Sequence, residues 1–191
     1  MKRFFIVHGW DGFPEEGWFP WLKKKLEAEA FTVIVPAMPH PEKPMIAEWV
    51  QYLSYIVEYV DEETFFVGHS IGCQTILRYL ETLPARKKVG GIVFVAGWFT
   101  LNDLQTDEEK RIVKPWLETP IDFVKVKQHT SHFVAIFSDN DPVVPLENQA
   151  LFEEKLGAKT LVLKGKGHFS GGDKVIELPD VLKFILGFSF E

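Results

Sequence analysis

The chain has 191 residues, a length typical of one domain and sufficient to bury roughly 70% of the surface its unfolded form exposes. It is 46% hydrophobic and 25% charged, and its net charge of -6 repels phosphate backbones, which argues against nucleic acid as a partner. Cys73 stands alone, so no internal disulfide can form and no staple of that kind is needed.

The opening Met1-Lys2-Arg3 is basic, but the apolar run that follows ends after Val7, too short for a secretion signal or a membrane span. The expectation is a cytoplasmic protein with no membrane association. Short basic runs at Lys23–Lys25 and Arg86–Lys88 adjoin helical patterns and read as solvated helix faces. With 17 Phe and 6 Trp, the chain can supply a large apolar core and an apolar cleft.

Six short runs are apolar but for a threonine in three of them, and are rich in β-branched and aromatic residues: Phe4–Val7, Phe31–Val35, Thr64–Val67, Gly91–Ala96, Phe133–Phe137 and Thr160–Leu163. Strands apolar on both faces belong to a buried parallel sheet. Helical periodicity fills most of the intervals. Trp18, Trp21, Leu22 and Leu26 share one face, and Ile46 to Val60 carries a broad stripe. Ile76, Leu77 and Leu80 follow the third strand, Leu151, Phe152 and Leu156 the fifth, and Val181 to Leu186 the sixth. This alternation predicts an α/β fold, a doubly wound three-layer sandwich with helices on both faces. The stretch from Leu101 to Ser131 is longer than one crossover needs and predicts two or three short helices. No linker or repeat interrupts the chain, so residues 1–191 are expected to form one domain.

The third strand runs into Gly68-His69-Ser70-Ile71-Gly72, and a helical pattern starts at once. This is G-x-S-x-G at a strand–turn–helix junction, where the glycines permit a strained turn that lifts the serine hydroxyl clear of the backbone. Ser70 is the predicted nucleophile. A serine needs a base, and the base needs an orienting acid, in the chain order Ser, Asp or Glu, His. The fifth strand ends in Ser138-Asp139-Asn140-Asp141-Pro142, and the sixth is followed by Gly167-His168-Phe169. His168 is therefore the predicted base. His69 lies inside the turn, with its side chain expected to point away from the nucleophile. His129 and His132 precede the fifth strand, at its wrong end. Two aspartates compete for the acid. Asp139 follows the strand directly and can instead bond its own loop, whereas Asp141 precedes a proline that fixes the chain direction.

The first strand leaves through His8-Gly9-Trp10-Asp11-Gly12. Acyl transfer requires two backbone N–H groups aimed at the tetrahedral oxygen, and Ile71 and Trp10 are the predicted donors. Trp10, Phe13, Trp98, Phe99 and Phe169 lie beyond strand ends or beside the predicted machinery and are expected to line the substrate cleft. Cys73 reads as a small buried hydrophobe.

Together these residues resemble the α/β-hydrolase superfamily. Within it, His8-Gly9-Trp10, Trp18-Phe19-Pro20-Trp21-Leu22, the Ser70 turn, Asp141-Pro142 and Gly167-His168-Phe169 resemble the small serine hydrolases related to retinoblastoma-binding protein 9. The resemblance implies about six parallel strands in the order 2-1-3-4-5-6, with Ser70 at the switch point, and Asp141 and His168 as triad partners. The Leu-x-Cys-x-Glu pattern of retinoblastoma binding is absent from the chain, so that partner is not carried over. The expected activity is hydrolysis of a small acyl substrate, an ester, without cofactor or metal. Amide or peptide cleavage, acyl transfer to another acceptor, and a non-catalytic interaction platform on the same fold are the competing readings.

Overall fold

The computed structural model describes residues 1–102 and 104–189. In chain order the elements are β1 (Arg3–Val7), α1 (Phe19–Ala28), β2 (Thr32–Ile34), α2 (Ile46–Val57), β3 (Thr64–His69), α3 (Ile71–Thr82), β4 (Gly91–Val95), α4 (Asp107–Glu118), α5 (Phe123–Lys127), β5 (Phe133–Ser138), α6 (Glu147–Leu156), β6 (Lys159–Leu163) and α7 (Pro179–Ser189). The six strands form one sheet in the order β2-β1-β3-β4-β5-β6, and every pairing is parallel. All residues of β3, β4 and β5 are buried, and their only polar members, Thr64, His69 and Ser138, lie at strand ends. The strand order reverses between β1 and β3, and a crevice opens there beyond the C-terminal strand ends.

Three tryptophans pin the loops at that end. The fully buried indoles of Trp18, Trp49 and Trp116 donate to the carbonyls of Phe169, Pro39 and Pro44, at 3.1, 2.7 and 3.0 Å. Each combines a large apolar contact with one satisfied N–H, so core packing also fixes loop position.

The interval between β4 and β5 holds two helices, and the first is longer than the sequence pattern suggested. A capping box starts α4: Thr106 Oγ1 accepts from the Glu109 N–H at 3.1 Å, and Glu109 Oε2 accepts from the Thr106 N–H at 2.7 Å. Pro115 sits inside α4 without ending it. The missing N–H deletes one helical bond on an exposed face, while buried Trp116 anchors the helix. Arg78 of α3 then donates to the carbonyls of Trp116 and Thr119 at 2.9 and 2.8 Å, satisfying the helix C-terminus. No helix among the described residues is long and apolar enough to cross a membrane.

Close approach fixes the start of α3. A Cβ on Gly72 would lie 2.4 Å from the Val7 carbonyl oxygen and 2.6 Å from that of His8. In an open helix a Gly→Ala change gains about 1 kcal/mol. Here the clash with rigid strand backbone outweighs that gain. Gly72→Ala is expected to destabilise the protein by about 2 kcal/mol or more, read from urea unfolding.

Candidate active site

Ser70 occupies the hinge between β3 and α3 with φ 52° and ψ -121°. Its N–H donates to the Val95 carbonyl at 2.9 Å, so the neighbouring strand holds the turn in place. A Cβ on Gly68 would meet the backbone of Cys73 at 2.8 Å, which explains glycine on the strand side of the turn.

Loops after β5 and β6 bring two more side chains to this hinge. His168 Nε2 lies 2.9 Å from Ser70 Oγ. On the other side of the ring, Nδ1 lies 2.9 Å from Asp141 Oδ2 and 3.2 Å from Oδ1. An ionised carboxylate only accepts, so Nδ1 carries the proton and Nε2 is left to accept from the serine hydroxyl. The Asp141 side chain is 2% exposed, and its Oδ1 also accepts from the N–H groups of Val143 and Val144 at 2.8 and 3.0 Å. Those bonds fix the direction in which the carboxylate faces.

The other aspartate does different work. Asp139 is exposed and accepts from the Gly165 N–H at 2.8 Å. Asn140 Oδ1 accepts from the Gly167 N–H at 2.9 Å, and Ser138 Oγ from the Lys166 N–H at 3.0 Å. Three successive side chains at the end of β5 therefore carry the backbone of the loop that presents His168.

At the end of β1, buried His8 sits between two backbone groups. Its Nδ1 faces the Gly9 carbonyl at 2.8 Å and donates to it, while Nε2 accepts from the Met38 N–H at 3.0 Å. Burial lowers the His8 pKa against a smaller opposing effect of the Gly9 bond, and the neutral ring is the form that satisfies both contacts. Because the peptide is trans, fixing the Gly9 carbonyl also fixes the Trp10 N–H, which points the opposite way. Neither the Trp10 N–H nor the Ile71 N–H has a hydrogen-bond partner among the described residues, and Ile71 opens α3 with its N–H outside the helical ladder.

A cleft of about 290 Å³ surrounds Ser70 and His168. Trp10 and Trp98 line it, as expected, and so do Leu101, Leu104, Val113 and Val143, with Glu109 and Asp11 among the polar groups. The remaining expected lining residues are corrected by the structure. Phe13 is 52% exposed and lies outside the cleft. Phe99 turns to the other side and stacks on Phe152 with centroids 4.5 Å apart. Phe169 is 1% exposed, because a φ of 57° turns its ring into the core. Leu104 and Val113 were missed because they belong to the 101–131 stretch, where the apolar residues facing the cleft look no different from those facing the core. A larger hollow of about 430 Å³ between α2 and α4, floored by Ile112 and Trp116, has Lys43, Glu108 and Arg111 as its charged groups and is lined by no serine, cysteine or histidine.

His69 departs most from expectation. Its ring turns towards the site rather than away, 5.1 Å from the His168 ring between centroids, and Nε2 meets the His168 carbonyl at 2.7 Å. Cys73 is fully buried, and burial raises its thiol pKa far beyond the reactive range.

Residues 4–185 match the Serine hydrolase family. The chain belongs to that family. It is 33% identical over 181 residues to YdeN of Bacillus subtilis (strain 168), covering 94% of this chain and 92% of that one. It is 28% identical over 171 residues to the serine hydrolase RBBP9 of Rattus norvegicus, covering 89% and 87% of the two chains. The crystal structure of the B. subtilis ydeN gene product superposes over 100% of both chains with a TM-score of 0.90 and 28% identity. Est1E from Butyrivibrio proteoclasticus shares the fold at a TM-score of 0.72 and 16% identity, covering 97% and 90%. The protein is thus a hydrolase on the α/β-hydrolase fold.

Burial lowers the His69 pKa to about 3, with the nearby His168 adding to the shift. The folded serine hydrolase keeps this ring neutral, whereas the unfolded chain takes up a proton below about 6.5. Stability is therefore full above about pH 6.5 and is lost as pH falls towards 3. Between about pH 7.5 and about pH 5, the loss of urea stability in His69→Gln should be smaller than in wild type by about 2 kcal/mol.

Proposed function

We propose that this serine hydrolase cleaves a small carboxylic ester through an acyl-enzyme, with Ser70 as nucleophile, His168 as base and Asp141 as orienting acid. The observation that carries this reading is the unbroken line from Asp141 Oδ2 to His168 Nδ1, and from His168 Nε2 to Ser70 Oγ, each link at 2.9 Å.

Ser70 Oγ transfers its proton to His168 Nε2 as it bonds to the ester carbonyl carbon. The carbonyl oxygen becomes an oxyanion, stabilised by the Trp10 and Ile71 N–H groups and by the positive end of α3. As the tetrahedral species collapses, the imidazolium returns its proton to the departing alkoxide, and an alcohol leaves. Water then loses a proton to Nε2 and attacks the acyl carbon. The second collapse restores the Ser70 hydroxyl and releases the acid. Asp141 stays ionised throughout and stabilises the imidazolium formed in both halves.

The cleft sets the scale of the substrate. At about 290 Å³ it lies at the lower end of small-molecule sites, and its walls of Trp10, Trp98, Leu104 and Val113 suit a short apolar acyl group. The fold-sharing Est1E has ferulic acid bound, a carboxylic acid, which supports an acyl ligand in this architecture.

Ser70→Ala is expected to lower turnover of a nitrophenyl butyrate ester on the order of 10⁴- to 10⁶-fold and to abolish fluorophosphonate labelling. Full labelling of that variant would remove Ser70 from the mechanism. Asp141→Asn should cost about 10⁴-fold in kcat by favouring the wrong imidazole tautomer. Asp139→Asn keeps an oxygen for the Gly165 N–H and should change kcat by less than about fivefold. The reverse ranking would transfer the acid role to Asp139. Among nitrophenyl esters, kcat/KM for butyrate should exceed that for palmitate by about tenfold or more.

A further inference from the structure

The imidazole of His168 must meet a hydroxyl carried by a different part of the chain, and its loop is anchored mainly on the far side. Ser138, Asp139 and Asn140 hold the backbone of residues 165–167, and Asp173 accepts from the His168 N–H at 3.0 Å. Those contacts tie the loop to β5 and to itself. None of them ties it to the β3–α3 hinge that carries Ser70.

His69 makes that connection. The residue ends β3, is 4% exposed and adjoins Ser70 in sequence. Its Nε2 is 2.7 Å from the His168 carbonyl oxygen, which can only accept, so the proton sits on Nε2. Trp18 and Phe19 stand edge-on to the ring at 6.3 and 6.0 Å, which leaves it one orientation. Trp18 also donates to the next carbonyl, that of Phe169, at 3.1 Å. Two consecutive carbonyls of the His168 loop are thereby received by groups from the nucleophile side.

The other ring nitrogen shows what this contact outweighs. Nδ1 is buried, has no hydrogen-bond partner and faces Gly9, where an added Cβ would lie 3.0 Å away. A buried orphan acceptor is unfavourable, and a phenyl ring would fill the same volume without one. The single function of the imidazole visible in its contacts is the Nε2–H bond to residue 168.

We propose that His69 is a positioning residue for the hydrolytic reaction, setting the depth and tilt of the His168 ring over Ser70 by donating its Nε2 proton to the residue-168 carbonyl. The inference rests on the Ser70–His168–Asp141 reading above. Losing the bond frees the loop to drift on the hinge side, and a displacement on the order of 1 Å between base and hydroxyl can cost about 10²-fold in rate.

Two variants separate this role from simple packing. His69→Phe keeps the ring and removes the donor, while His69→Gln places an amide N–H near the position of Nε2. On a nitrophenyl butyrate ester, His69→Phe should lower kcat about 10- to 100-fold with KM changed by less than about threefold, at a Tm within a few degrees of wild type. Fluorophosphonate labelling should slow in parallel, and His69→Gln should recover most of both rates. Wild-type kcat in His69→Phe would overturn the proposal, as would equal losses of kcat and Tm in both variants. His168→Ala and Ser70→Ala are measured alongside. If they are inactive while His69→Phe is normal, only the positioning role fails; if they remain active, the triad reading itself has failed.

Discussion

Ser70 sits at φ 52° and ψ -121°, a conformation that a non-glycine residue leaves unless its surroundings hold it. Here the surroundings are the sheet itself. The Val95 carbonyl of β4 takes the Ser70 N–H, the Ser70 carbonyl takes the N–H of Cys73, and Gly72 slides beneath the carbonyls that end β1. The strain of about 1–3 kcal/mol is offset by three strands packed on both faces, so the geometry of Ser70 is a property of the whole sheet. The other groups of the site are loops that converge on a point the sheet has already fixed.

How those loops are held follows a common pattern. Buried rings receive loop carbonyls through one N–H each: Trp18 takes that of Phe169, Trp49 that of Pro39, Trp116 that of Pro44, and His8 that of Gly9. Each ring buries a large apolar area and spends a single donor. This lets aromatic packing, which is non-directional, define the direction of a backbone group.

What the sequence made legible was whatever depends on local pattern. The apolar runs of β3, β4 and β5 read as buried strands because the sheet is covered on both sides, and the glycines flanking Ser70 read as a turn because nothing larger fits. At the edge the pattern loosened: β2 contracts to Thr32–Ile34 from the apolar run Phe31–Val35, since it pairs on one side only. Asp139 and Asp141 could not be separated by neighbours in sequence, because the distinction lies in which faces His168 and which faces Gly165. Likewise, the direction of His69 depends on a carbonyl from a loop about a hundred positions downstream. The wall supplied by Val113 was hidden because a helix with apolar residues on two sides gives no local sign of which side meets a cavity, and Leu104 lies in the irregular segment before that helix, where no periodicity marks its direction.

The β5 and β6 loops meet through side-chain oxygens of Ser138, Asp139 and Asn140 and backbone N–H groups of residues 165 to 167. Asp141 and His168 thus belong to one mechanical unit whose parts recognise each other without reference to the serine. Such a unit can be remodelled in length or transplanted only as a matched pair, whereas the cleft walls between β4 and β5 can vary independently of it. The architecture thereby separates the loops that must change together from the cleft walls that can change alone.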